Sequence, residues 1–388
     1  MTKLIYFLLV LSIPFTSAGQ TPANIDQEKL LEYYQSQRYL EAADYLNTVY
    51  SPDTEIPKEL AQIAYTNLMA GNLPLAEKNY LKLYKQQPTS LPILFSLASI
   101  ARRRGDDAKA KLHYLEIIKL DSLNFNVYKQ MANMILIPMS PEKIYYLKKA
   151  NAIQPTDADI AFDLSSSLSM IKKNDSAYVV LQTALAADTS NMALLKAKMP
   201  ICIFLLKIDE TIKTGDQLMA YGDSSSYVLN NLGKAYYLLK NYKRALDLFL
   251  TIEKMQQQNE STLFYTSICY RELHNYSNAA AYMKLAVKDG ISPYVYKYYK
   301  VLGEIYEKQK LIKNANQAYL KSLEFDHDGS VYYNLGLIND FKLNNKKEAL
   351  RYYNRYLASK PNSENLKEVI DYVKSRVDEL TQDPARAK

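Results

Sequence analysis

The chain has 388 residues, 48% of them hydrophobic and 23% charged, which excludes an intrinsically disordered chain and leaves ample material for a core. It holds 10 Gly and 14 Pro beside 35 Tyr and no Trp, and so few helix breakers point to an all-α protein. The net charge of +7 is a mild excess over this length, short of the concentrated basic stripe expected of a dedicated nucleic-acid binder.

In chain order, the first element is a targeting signal. Lys3 precedes an apolar stretch from Leu4 to Phe15, and Thr16-Ser17-Ala18-Gly19 closes it with small residues. This pattern predicts a secretory signal peptide over residues 1–18, cut after Ala18, with an uncleaved anchor as the other reading. The stretch is shorter than the ~20 apolar residues of a membrane span. No Cys follows it and no later run reaches 18 apolar residues, so neither a lipid anchor nor a transmembrane span is expected in the mature chain. The expectation is an exported protein, periplasmic or secreted.

From residue 25 onward a ruler appears. A small residue one turn into a helix recurs at Ala42, Ala76, Ala110, Ile144, Ala177, Thr211, Ala245, Ala279, Ala315 and Ala349, in steps of 33 to 36 residues. Four residues after most of them stands a large apolar residue, as in Leu46, Tyr80, Tyr114, Phe249, Tyr319 and Tyr353. Ahead of them in the same unit stands a second small residue, as in Ala64, Ala98, Ala132, Ser165, Gly233, Gly303 and Gly336. Apolar spacing at i, i+3, i+4 and i+7 makes each unit two helices of about 12 to 15 residues. The small residues allow close backbone approach, and the large one fills the remaining gap. One such unit cannot bury its own apolar face, so units must stack.

Two units depart from the pattern. The fourth has Ile144 in the small position and a first helix expected to end near Pro138, about one residue short. The sixth has Pro200 inside its first helix and Gly215 in the second. An internal Pro usually kinks a helix at ~3 kcal/mol, so imperfect stacking, or a hinge, is expected around residues 190–224. After Pro361, Leu366, Val369, Ile370, Val373 and Val377 share one face, which predicts an amphipathic capping helix over residues 362–380 and a polar tail over 381–388.

The repeat resembles the tetratricopeptide repeat. Residues Tyr332-Tyr333-Asn334-Leu335-Gly336-Leu337 followed by Lys347-Glu348-Ala349-Leu350 and Lys360-Pro361 carry the likeness best; Leu232-Gly233-Lys234-Ala235-Tyr236 with Arg244-Ala245-Leu246 comes close. About ten units in register cover residues 25–361. The resemblance implies a right-handed superhelical solenoid whose first helices line a concave groove for a peptide or protein segment. Carried over position by position, the groove residues in the N-terminal half are Tyr65, Phe95, Arg102, Arg103, Lys129, Asn133 and Phe162. In the C-terminal half they are Tyr227, Asn230, Lys234, Tyr237, Phe264, Arg271, Lys297, Lys300, Glu304 and Tyr333. Aromatic residues beside Lys and Arg suit a segment bearing acidic groups; the alternative is an ordinary solvated helix face. Residues 225–360 hold 20 Lys and Arg against 12 Asp and Glu, whereas residues 20–224 hold 22 against 23. The positive surplus therefore lies in the C-terminal repeats, where it would attract an acidic partner or an anionic surface. Lys129 and Asn133 match the first pair of the family's carboxylate clamp, but Asp163 and Ala193 stand where the clamp needs Asn and Lys.

No catalytic, cofactor or metal motif is read from the chain. His113, His274 and His327 lie in different repeats. Asp326-His327-Asp328-Gly329 resembles the start of a calcium loop but lacks the remaining acidic ligands. Arg102-Arg103-Arg104-Gly105 reads as a helix C-terminus, where cations suit the dipole. Cys202 and Cys269 are 67 residues apart, two repeats, too far for a disulfide that needs Cα atoms within ~7 Å; both read as buried apolar residues. The expected function is a non-enzymatic scaffold outside the cytoplasm that binds a protein segment, in envelope or secretion complex assembly. A carrier for an envelope glycan, lipid or small ligand is the alternative. No nucleic-acid partner is expected, and oligomeric state is left open.

Overall fold

The computed structural model describes residues 25–289, 294–325, 329–359 and 366–382. The signal stretch, residues 326–328, Pro361 and the last six residues lie outside them. Among the described residues every regular element is a helix, and the chain divides into two compact units, Met1–Gln154 and Pro155–Lys388.

The first unit holds four helix pairs: α1 (Gln27–Gln35) with α2 (Tyr39–Val49), α3 (Pro57–Met69) with α4 (Leu73–Gln86), α5 (Leu91–Arg103) with α6 (Asp107–Leu120), and α7 (Phe125–Asn133) with α8 (Pro141–Ile153). The second begins with α9 (Ala158–Met170) and α10 (Asn174–Ala187), α11 (Met192–Phe204) and α12 (Ile208–Ala220), α13 (Ser226–Leu238) and α14 (Tyr242–Lys254). It continues with α15 (Glu260–Glu272) and α16 (Tyr276–Asp289), α17 (Val295–Lys308) and α18 (Ile312–Leu323), α19 (Val331–Phe341) and α20 (Lys346–Ala358), and ends in the single helix α21 (Lys367–Gln382). Each second helix packs on its own first helix, and within a unit on the next one as well.

The ruler marks the core. Ala42, Ala76, Ala110, Ala177, Thr211, Ala245, Ala279, Ala315 and Ala349 are all 0% exposed, and the larger Ile144 is buried with them. The gap-filling residue meets the other small position directly. A Cβ built on Gly233 would stand 2.6 Å from Phe249 Cζ, and Gly303 and Gly336 likewise face the rings of Tyr319 and Tyr353. Helix starts are set by side-chain caps: Asp26, Asp106, Asn124, Asp157, Asn191, Asn241 and Asn345 each accept a backbone N–H in the first turn, which satisfies one of the donors a helix start leaves free.

Two expectations need correction. The first helix of the fourth pair is shorter than its spacing suggests: α7 ends at Asn133, five residues before Pro138. Pro138 has no N–H, would clash with the turn below it, and biases Ile137 away from helical dihedrals. The chain therefore leaves the helix early, and the Ile135 carbonyl is taken by Lys143 Nζ at 3.0 Å. Conversely, Pro200 breaks nothing: α11 runs unbroken from Met192 to Phe204, and α12 packs on both α11 and α13. Pro200 cannot donate to the Lys196 carbonyl, and Tyr227 Oη donates there instead at 3.2 Å. On the other side of α12 the bare Gly215 accepts Leu232, whose Cδ2 would lie 2.5 Å from an added Cβ. Arg102 and Arg103 end α5 with Arg104 as its cap. Cys202 and Cys269 are free thiols, fully buried, and burial pushes each up to about 12.

Candidate partner-binding faces

In the first unit the expected residues fall on first helices, but the structure gathers few of them. Residues 95, 99 and 102 follow one face of α5, and 126 and 130 one face of α7. Together they line a hollow of about 830 Å³, with Tyr114 behind Phe95. The Phe95 and Tyr114 rings meet edge to face at 6.3 Å, and Arg102 donates to Gln130 Oε1 at 3.1 Å. Arg103 also reaches the hollow's wall, while its guanidinium donates to the Leu68 carbonyl at 2.8 Å. Tyr65 lies elsewhere on α3, edge-on to Tyr34 at 5.9 Å. Lys129 holds its ammonium 5.7 Å from the Phe125 ring, and Asn133 is exposed at the end of α7. Sequence reading missed Ser96, Ser99, Asn126 and Gln130. Their signal was helical spacing: Ser96, Ser99 and Arg102 lie three apart, and Phe95–Ser99 and Asn126–Gln130 four apart.

In the second unit Phe162 is exposed on α9. Further along, Asn230, Lys234 and Tyr237 stand on α13 against an aromatic cluster from three other helices. Tyr265 stacks on Phe249 at 5.7 Å and touches Tyr237 at 5.5 Å, and Phe264 lies 4.9 Å from Tyr298. Lys234 Nζ sits 5.3 Å above the Tyr265 ring. It has no acidic partner among the described residues, and burial alone pulls its pKa below the usual lysine value. One turn earlier, the Asn230 side-chain oxygen is buried with no hydrogen-bond donor. Such an orphaned acceptor is unusual in a folded protein and calls for an explanation. Tyr227, which precedes them on the same helix, is half exposed and holds the Lys196 carbonyl.

The remaining expected cations are differently placed. Arg271 is held by carboxylates on two sides, Glu304 at 2.8 Å and Glu272 at 2.9 Å, so it is a structural ion pair at a smaller hollow of about 390 Å³ shared with His274, Tyr276 and Lys308. Lys300 reaches Ser330 Oγ at 3.4 Å. Lys297 is exposed, with its ammonium 5.0 Å from the Tyr294 ring. Tyr333 packs on Tyr356 at 5.6 Å, and burial raises its hydroxyl pKa. The structure thus brings Asn230, Lys234, Tyr237 and Phe264 together and leaves Lys297, Lys300 and Tyr333 apart from them. No helix among the described residues is long and apolar enough to cross a membrane.

Residues 329–363 match the family model described as tetratricopeptide repeat. No curated protein matches the chain. Among solved structures, human IFIT1, as a dimer with m7Gppp-AAAA, is 13% identical, with a TM-score of 0.52 over 93% of this chain and 88% of that one. A tetratricopeptide repeat protein from Parabacteroides merdae is 14% identical, with a TM-score of 0.42 over 73% of this chain and 98% of that one. Yeast Tom70 is 12% identical, with a TM-score of 0.46 over 92% and 96%. At such identity the likeness to IFIT1 concerns the fold alone. The tetratricopeptide repeat match itself is confined to residues 329–363, and over the rest of the described residues the likeness is one of fold, a succession of paired helices.

Proposed function

We propose that the protein is a non-enzymatic scaffold outside the cytoplasm that holds an extended segment of a partner protein along its first helices. The observation that carries this reading is the pair on α13: Lys234, a desolvated cationic donor without an acid, one turn from Asn230, a buried acceptor without a donor. A peptide strand supplies a carbonyl or carboxylate for the ammonium and, once the Asn230 amide turns its oxygen outward, an N–H for that oxygen. The aromatic cluster beside them offers apolar contact for a neighbouring side chain. Export rests on the stretch from Lys3 to Gly19, and a role in envelope or secretion complex assembly follows from that location.

The test is crosslinking in intact cells of the source organism with the tagged full chain, beside an Asn230→Ala/Lys234→Ala variant. One or a few envelope proteins should co-purify with the wild type and be lost with the variant. The same set from both, or none from either, sinks the reading. Amino-terminal sequencing of the exported protein should begin at Gly19. The hollow at Phe95 favours a second reading, a carrier for a glycan, lipid or small ligand, because its volume falls in the ~300–1,000 Å³ range of ligand sites. Native mass spectrometry of the protein purified from its source would show that ligand as a bound mass lost on Phe95→Ala.

A further inference from the structure

The turn inside every helix pair except α7–α8 is short, and an inner residue of it takes a left-handed backbone conformation that disfavours any side chain but suits glycine. The first unit uses glycine at two of these turns, Gly71 (φ 83°) and Gly105 (φ 78°), and Gln37 (φ 57°) at the third. The second unit uses glycine at none of six. Lys172, Leu206, Lys240, His274, Lys310 and Asn344 occupy the positions, with φ between 50° and 61°. Asn and His tolerate this region; Lys and Leu have no such local reason to be there.

The tips at Lys172, Leu206 and Lys240 present one kind of surface. Beside them stand exposed apolar side chains in the same register, Met170, Phe204 and Leu238, at 34-residue steps. Phe204 is 63% exposed and Leu206 74%. Exposed lysines alternate with them: Lys173 beside Lys172, Lys207 beside Leu206, and Lys243 beside Lys240. Among the described residues no carboxylate pairs with Lys172, Lys173, Lys240, Lys243 or Lys310. The first turns of α14, α16 and α18 contain no acid at all, although a helix start favours one. Asp175 and Asp209 are the exposed acids at the nearby starts of α10 and α12; Glu210 beside them is held by Lys198 and Tyr178. Consecutive first helices α9, α11, α13 and α15 abut one another, so their C-terminal tips form one continuous edge. The opposite loops carry Asp188 and Asp223 instead.

We propose that this edge of the second unit docks on an anionic lipid surface. Phe204, Leu206, Leu238 and Leu239 enter the headgroup layer while the flanking lysines meet lipid phosphates. Aliphatic and aromatic tips interleaved with unpaired cations are the composition an interface requires. The row from Lys172 to Lys240 presents its side chains outward, and the hollow of about 390 Å³ beside it at His274 is walled by the Arg271, Glu272 and Glu304 ion pairs. The edge is separate from the Asn230–Lys234 pair, so either reading can fail without the other.

The experiment is co-sedimentation of the full chain with vesicles of phosphatidylcholine alone or with about one-third phosphatidylglycerol. The quadruple variant Lys172→Gly/Leu206→Gly/Lys240→Gly/Lys310→Gly removes the tips while giving each turn the residue its backbone favours, and its helical spectrum checks the fold. The apolar stretch from Leu4 to Phe15, with Lys3 before it, is common to wild type and variant, so the difference between them reports on the tips. Wild type should prefer the anionic vesicles, lose that preference in high salt, and exceed the variant on the order of 100-fold in affinity, near ~1 kcal/mol per lysine. Because the chain has no Trp, the Phe204→Trp variant carries a single reporter whose emission should shift to the blue on anionic vesicles. Equal binding to both vesicle types, an unchanged quadruple variant, or an unshifted emission from the Phe204→Trp variant overturns the proposal.

Discussion

Asp340 offers the sharpest test of how the C-terminal end is held. Its side chain is 0% exposed. Arg376 of α21 grips it through Nε at 2.7 Å and an Nη at 2.9 Å, Lys346 of α20 donates at 2.6 Å, and Tyr353 donates at 3.2 Å. Asp340→Ala removes the acceptor for all four donors at once. Breaking a buried pair from one side typically costs ~3–5 kcal/mol. Arg376 and Lys346 are 21% and 18% exposed and can recover some hydration, which places the loss near the lower bound, about 3 kcal/mol. Stability in a repeat chain is a sum of neighbour terms, so the loss should be local. Hydrogen exchange should quicken in α19, α20 and α21 and stay unchanged in α13 and α15. Acid should act in the same direction. Burial by itself would raise the carboxyl pKa, but the hydrogen bonds and charges of Arg376 and Lys346 outweigh it and hold it below the usual carboxylate range. The contribution is therefore fully present above the unfolded value of ~3.9 and is lost as pH falls through the lower folded value. Uniform exchange changes along the chain, or a loss under about 0.5 kcal/mol, the size of an ordinary surface substitution, would refute this reasoning.

Further outcomes are expected elsewhere. Tyr227→Phe should cost about 0.5–1 kcal/mol by removing the donor to the Lys196 carbonyl, which water then replaces in part, and in a Pro200→Ala background, where the helix supplies its own N–H, the same change should cost close to nothing. Urea unfolding of the four proteins measures this, and strict additivity would remove the link. Gly233→Ala places a methyl group against the Phe249 ring, and overpacking at ~1–3 kcal/mol should exceed the ~1 kcal/mol gained in helix propensity; a higher melting temperature would contradict the close approach. Cys202 and Cys269 should resist maleimide at pH 8 in the native protein and both react in denaturant, because burial keeps the thiols protonated. Labelling of either one without unfolding would show an opening that the structure does not contain.

Much of the fold was legible because its information is local. A small residue every 34 positions, a bulky one a turn later and apolar residues at helical spacing specify two helices and the face each buries. Every one of those small positions is buried. Boundaries were less secure where two local rules competed: Pro138 ended α7 earlier than the apolar pattern of Met134 to Ile137 suggested.

The site was legible as a set of positions but not as chemistry. Sequence register puts Arg271 and Lys234 on equivalent helix faces. Only the fold places Glu304 against the first and leaves the second above Tyr265 with no acid. The rescue of Pro200 by Tyr227 belongs to the same class, as does the meeting of Arg376 with Asp340. The sequence alone determined which faces are buried, since burial follows from periodicity within a helix. Tertiary structure decided which polar groups are satisfied, since that depends on atoms about 30 residues apart coming within about 3 Å.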